Sequence, residues 1–127
     1  MARETAERFI AALGKLEEGR DVEPIVATYA EECEVGNVNV PEKFHGPEGA
    51  RRFWTEYRAT FGAMKSEFRN VIATDDRAAL EWTTTGTSTD GKPIAYDGVS
   101  ILEVSGDEIT RFRAYFDPGD LGRQMTA

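Results

Sequence analysis

The sequence is 127 residues long, 40% hydrophobic, and carries 23 acidic against 15 basic residues, a formal net charge of -8. That length suits one hydrophobic core and one domain over residues 1–127, and the two Trp, seven Phe and four Tyr argue against disorder. The acidic balance disfavours nucleic acid and anionic membranes as partners, and the lone Cys33 excludes an intrachain disulfide or a cysteine metal cluster; with neither a secretory leader nor a long apolar run, a cytoplasmic protein is expected.

Phe9, Ile10, Leu13 and Leu16 recur at three- and four-residue spacing, so a first helix is expected from about Thr5 to near Gly19. Asp21 can cap a second, with Pro24 in its first turn and Ile25, Val26, Tyr29 and Ala30 as its apolar side, ending by about Glu32. From Cys33 to Phe44 the pattern reads as a short edge strand entering a loop. Gly46-Pro47 then opens a third helix, with Phe53, Trp54, Tyr57 and Phe61 on its heavy face, lasting to about Gly62. Lys65–Ala73, Arg77–Thr87, Ile94–Val104 and Glu108–Phe116 are β-prone runs separated by short turn signals, which favours antiparallel hairpins. Three helices followed by a mostly antiparallel sheet make an α+β domain. In the last run Thr110, Phe112, Ala114 and Phe116 alternate with Ile109, Arg111, Arg113 and Tyr115; both sets are mixed, which suggests a strongly curved sheet.

The residue types narrow the chemistry. The single His45 cannot build a multi-histidine metal site, no acidic cluster has calcium-loop spacing, and no nucleotide fingerprint or nucleophile elbow is present. No metal and no cofactor is expected. His45 is either a capping or exposed histidine or a group at a pocket mouth. Asp117, before Pro118-Gly119, either caps the turn that ends the last strand or stands at a pocket rim. Glu81 and Asp97 are cross-strand pairing groups, or acids with raised pKa if they face an apolar cavity. The crowd of Glu4, Glu7, Glu17, Glu18, Glu23, Glu31, Glu32 and Glu34 reads as a solvated face, and Cys33 as an apolar filler.

Several segments carry a resemblance that covers nearly the whole chain. YAEECE at 29–34, GPEG followed by RRFW from Gly46, AALEWTTTGT, and the ending DEITRFRAYFDPGDLGRQM are similar to the SnoaL-like branch of the nuclear transport factor 2-like superfamily. The resemblance implies a cone-shaped α+β fold, three N-terminal helices wrapped by a curved sheet, a pocket for a small apolar or aromatic molecule, and a homodimer. Its members include polyketide cyclases, a steroid isomerase, an epoxide hydrolase and dehydratases, so the fold does not select the chemistry. Residue by residue, Phe9 stands where the steroid isomerases have an oxyanion-hole tyrosine, Asn37 near their base and Ser100 near their second acid. Ala114 matches the catalytic aspartate of the epoxide hydrolases, and Leu80 and Trp82 their Arg-x-Asp pair. Neither mechanism is therefore expected.

The same matching implies a pocket of Tyr29, Asn37, Trp54, Tyr57, Leu80, Trp82, Thr84, Ser100, Leu102, Phe112, Ala114 and Phe116, with Gly98 beside it and Glu81 and Arg113 pointing away. His45 and Asp117 are the acid/base pair to test at its mouth. Three readings stand open: a cofactor-free acid/base enzyme of cyclase, isomerase or dehydratase type, a non-catalytic ligand-binding domain, and a dimeric interaction domain.

Overall fold

The computed structural model describes residues 2–39 and 41–126. The first helix, α1 (Ala2–Gly19), buries Phe9, Leu13 and Leu16 with Ala2, Ala6 and Ala12 on one stripe, while Glu4, Glu7 and Glu18 stay in water. The second helix is only one turn, α2 (Glu23–Val26), and Tyr29 already begins β1 (Tyr29–Asn37). Tyr29 and Ala30 are thus strand residues rather than a helical face. A distant partner decides this: Tyr29 lies opposite Ile109, whose amide donates to the Thr28 carbonyl at 2.9 Å.

Nor is β1 an edge. It runs antiparallel to the two-residue β2 (Phe44–His45) on one side and parallel to the last strand on the other. The third helix, α3 (Gly46–Ala59), begins at Gly46, whose φ of 73° favours glycine, with Pro47 in its first turn. Then come β3 (Phe61–Ala73), β4 (Arg77–Ser88), β5 (Pro93–Ser105) and β6 (Glu108–Phe116), each antiparallel to the next. The chain closes with α4 (Pro118–Thr126), where the sequence suggested only a turn.

The strands form one sheet of order β2-β1-β6-β5-β4-β3. Its two ends, β2 and β3, do not pair, and the sheet is neither closed nor strongly curled. This corrects the expected cone on two counts. Two helices, not three, precede the sheet, because α3 is inserted between β2 and β3. The mixed faces of the last strand have a local cause as well: a register shift between Glu103 and Val104, opposite β6, carries Ile109 to the buried side, while Phe112 and Ala114 remain buried too.

One sheet face is covered, with α1 on β3, β4 and β5, α3 on β1, and α4 on β5. Under α1 to α3 lies a large core that includes Phe9, Phe53, Trp54, Leu80, Leu102 and Phe112. A second cluster, Phe61, Met64, Trp82, Ile94 and Tyr96, is closed by Leu121 from α4. Tyr57, Phe68 and Phe116 pack against both. The opposite face carries Glu81, Asp97 and Arg113; Arg69 reaches Glu81 and Asp97 at 3.5 Å each, and Ile72 and Tyr115 are exposed.

Candidate functional site

Where the two apolar clusters meet, all layers contribute to a small cavity of about 30 Å³. Phe9 and Leu13 come from α1, Asn37 from β1, Phe53, Trp54 and Tyr57 from α3, and Ser66 and Phe68 from β3. Strands β4 to β6 add Trp82 and Thr84, Tyr96 and Ser100, then Phe112, Ala114 and Phe116. The aromatic rings meet mostly edge to face, at 5.2 Å for Trp54 with Phe112 and 5.3 Å for Trp82 with Tyr96. This space holds on the order of one or two waters.

Beside it lies a cleft of about 190 Å³ between α3, α4 and the sheet, bounded by residues such as Asn39, Phe44, Glu56 and Leu121. Asn37, Phe53, Tyr57, Tyr96 and Phe116 border both spaces and form the partition between them. Even together the two fall short of the roughly 300 Å³ at which ordinary ligand pockets begin. Occupancy of the 30 Å³ cavity by a ring-sized molecule therefore requires partition rings to rotate.

Polar groups in the wall are few and paired. Trp82 Nε1 donates to Ser100 Oγ at 2.9 Å, an arrangement that depends on Gly98: a Cβ there would stand 2.5 and 2.6 Å from the indole ring. The Tyr57 and Tyr96 hydroxyls face each other at 3.5 Å. Burial pushes Tyr96 up to about 12 and Tyr57 well above its ordinary value, so both are neutral hydroxyls near pH 7.

Behind them stands a carboxyl that composition alone assigned to a solvated face. Glu17 is 6% exposed. Its Oε1 accepts from the Ser66 amide at 3.0 Å and its Oε2 from Ser66 Oγ at 2.5 Å; Ser66 Oγ in turn bonds Thr84 Oγ1 at 2.7 Å. Burial raises the Glu17 pKa, against the lowering effects of the Ser66 bonds and of the Arg58 charge. Arg58, also 6% exposed, uses its donors on the carbonyls of Leu16, Glu17 and Phe61 and ties the end of α1 to α3 and β3. Glu17 was legible in one respect, since it follows Leu16 one position outside the apolar stripe; the burying partner, β3, was not.

The remaining sequence candidates fall elsewhere. Tyr29 is in the core, where its hydroxyl accepts from Trp54 Nε1 at 3.0 Å. Leu80 and Leu102 are fully buried on the cavity side of the sheet, in the packed core rather than the cavity wall. His45 is exposed at the N-cap of α3, opposite Glu34, and Asp117 is exposed with Oδ1 accepting from the Asp120 amide at 3.1 Å. Neither lines the cavity or the cleft. The Asp117 carbonyl also takes the Leu121 amide at 3.2 Å, so this residue caps α4 rather than a turn. Among the described residues no group of three or more His, Cys, Asp or Glu side chains could hold a metal, and no helix is long and apolar enough to cross a membrane.

Comparison with solved structures gives close agreement in backbone at low sequence identity. TerC co-crystallised with polyporic acid superposes with a TM-score of 0.85 at 20% identity, covering 98% of each chain. A nuclear transport factor 2-like protein of unknown function from Burkholderia pseudomallei also gives 0.85, at 17% identity over 98% of this chain and 97% of that one. An epoxide hydrolase of Mycobacterium tuberculosis gives 0.71 at 20% identity, over 96% and 90%. At such identities the likeness is one of fold. No curated protein sequence matches. The model of the SnoaL-like domain matches residues 6–112, and the chain belongs to that family.

Proposed function

We propose that this chain binds a small, flat, largely apolar molecule bearing oxygen functions in the cavity between the helices and the sheet. The observation that carries the reading is the cavity wall itself: aromatic rings from α1, α3 and four strands converge on one enclosed space in which the polar groups are hydroxyls, an amide and an indole N–H. The similar structure crystallised with polyporic acid supports an organic ligand. The neighbouring cleft supplies the entry, with Tyr57, Tyr96 and Phe116 as the rings that move. His45 and Asp117, the acid/base pair expected from the sequence, are exposed and outside both walls, and this reading does not need them. The homodimer that the family resemblance implies would use the uncovered sheet face around Ile72 and Tyr115.

The test is thermal unfolding with 2-naphthol and with naphthalene. A ligand that binds only the folded state raises stability by RT ln(1 + [L]/Kd). The expected result is a rise in Tm with 2-naphthol that Ala114→Phe, which fills the cavity, removes. Equal stabilisation of that variant, or no rise with either compound, refutes the reading.

A further inference from the structure

Most polar side chains of the cavity wall are engaged in short bonds of their own. Trp54 Nε1 donates to the Tyr29 hydroxyl at 3.0 Å, and Trp82 Nε1 to Ser100 Oγ at 2.9 Å. Ser66 Oγ lies 2.5 Å from Glu17 Oε2 and 2.7 Å from Thr84 Oγ1, and Asn37 Oδ1 takes the Asn39 amide at 2.9 Å. The exception is the pair of hydroxyls on Tyr57 and Tyr96, which face each other at 3.5 Å. Hydroxyl pairs ordinarily close to about 2.7–2.8 Å, so this contact stands at the limit of a hydrogen bond. It also engages at most one of the two hydroxyl hydrogens.

We propose that Tyr57 and Tyr96 close on a single oxygen of the bound molecule, as two donors from opposite layers of the fold, and that this oxygen is the carbonyl of a flat conjugated ketone. One oxygen about 2.8 Å from each hydroxyl fits between them at their present 3.5 Å separation. A carbonyl oxygen carries two lone pairs and no hydrogen, so it takes both donors at once and leaves nothing unpaired. A phenol in the same place brings a hydrogen of its own, and the wall acceptors Ser100 Oγ and Asn37 Oδ1 are already engaged by the Trp82 indole and the Asn39 amide.

The placement of the two rings fits this use. Tyr57 comes from α3 and Tyr96 from β5, and both border the cavity and the cleft, so a molecule passing from one space to the other meets them. Tyr96 is 5% exposed, which removes water as a competing partner. Both rings rest on the buried Phe61, with centroids 5.6 and 6.2 Å from it, while Trp54 flanks Tyr57 and Trp82 flanks Tyr96 at 5.3 Å each. The two hydroxyls are thus positioned by a shared apolar support, and arranging two donors before binding lowers the cost of holding the ligand. Burial keeps both in the neutral form near pH 7, so each offers a hydrogen rather than a negative charge.

The proposal rests on the binding reading above, and its test separates the two. The probes are 2-acetonaphthone, isotopically labelled at the carbonyl, and 2-isopropenylnaphthalene, which keeps the shape and replaces the oxygen by a methylene. Affinities are measured by titration calorimetry for the wild type, Tyr57→Phe and Tyr96→Phe, and the carbonyl stretch of the bound ketone by infrared difference spectroscopy. The expected result is that each Phe variant loses about threefold to tenfold in affinity for the ketone and none for the hydrocarbon. The carbonyl band should be lowest in the wild type and rise in each variant. Equal losses for both probes would make the effect one of packing and overturn the proposal, as would a band that moves in neither variant. A wild-type band at the frequency of the ketone in cyclohexane also overturns it, and that result needs no variant to fold. All three leave the binding reading intact. If the wild type binds neither probe, the binding reading falls and this proposal with it.

Discussion

Gly98 leaves the space in which the Trp82 indole is seated, and Gly98→Ala is the substitution by which to judge that seating. A Cβ at this position would lie 2.5 and 2.6 Å from two carbons of the Trp82 ring and 2.6 Å from the Tyr115 carbonyl oxygen. The indole could rotate only by giving up its bond to Ser100 and its packing on Tyr96. The carbonyl belongs to β6, directly across the ladder, and cannot rotate at all without moving a strand. Overpacking of a fixed core costs about 1–3 kcal/mol, and the backbone contact argues for the upper end, a fall in Tm of roughly 4–12 °C. Urea denaturation gives the free energy, and a double-mutant cycle with Trp82→Ala divides it. Trp82→Ala alone should cost roughly 3–5 kcal/mol. In its background Gly98→Ala should become cheaper by at least about 0.5–1 kcal/mol, since only the carbonyl contact remains. A wild-type cost of Gly98→Ala within about 0.5 kcal/mol, or strict additivity of the two changes, would refute the account of how the indole is seated.

Glu17→Gln has a signature in the pH dependence of stability. A carboxyl whose folded pKa is raised binds more protons folded than unfolded, so its contribution is fully present below the ordinary value of 4.5 and is lost as pH rises through the raised value. The wild type should lose stability relative to Glu17→Gln as pH climbs from 4.5, and a constant difference across that window would show that burial does not perturb this group. Asp117→Ala should cost about 1 kcal/mol by uncapping α4, with 2-naphthol binding unchanged; hydrogen exchange of the Asp120 and Leu121 amides reads the loss directly, and abolished binding would return Asp117 to the site. Tyr29→Phe leaves Trp54 Nε1 buried without its acceptor, which should cost about 1–3 kcal/mol; a neutral result would mean that the indole finds another partner. Ile72→Lys with Tyr115→Lys should abolish self-association in sedimentation if the open sheet face holds a second copy, and a persisting dimer would place that contact elsewhere.

Much of the architecture is visible locally. The four hairpin-connected strands announce themselves through alternation and turn residues, whereas the faces of Leu80, Trp82, Ser100, Leu102 and Phe112, all buried, came from the family resemblance, because alternation within one strand does not say which parity of its neighbour shares its face. What local pattern cannot supply is a partner far away in sequence. Tyr29 and Ala30 fit a helical stripe after Ile25 and Val26 until β6 is available to pair with them. Glu17 looks like one more surface acid until β3 lays Ser66 against it. The residue before a Pro-Gly pair suggests a turn, yet Leu121 finds Phe61, Trp82 and Tyr96 to cover, and that apolar contact holds a helix containing both Gly119 and Gly122. The shape of the sheet was misjudged for a related reason, since a single register shift can imitate the mixed faces that global bending would give.

The placement of β1 has a consequence for the route by which the chain reaches this state. It is synthesised among the first third of the residues but sits between β2 and β6, in parallel register with the last strand made. Until Phe116 has left the ribosome, one side of Tyr29–Asn37 has no native partner, and closing that pairing spans most of the chain. Topologies dominated by such distant pairings fold slowly, on the order of milliseconds to seconds. The β3 to β6 meander can assemble meanwhile from its own short turns, which makes the docking of the N-terminal third onto β6 the natural last step and the unpaired edges of β1 and β6 the surfaces most exposed to misassembly during synthesis.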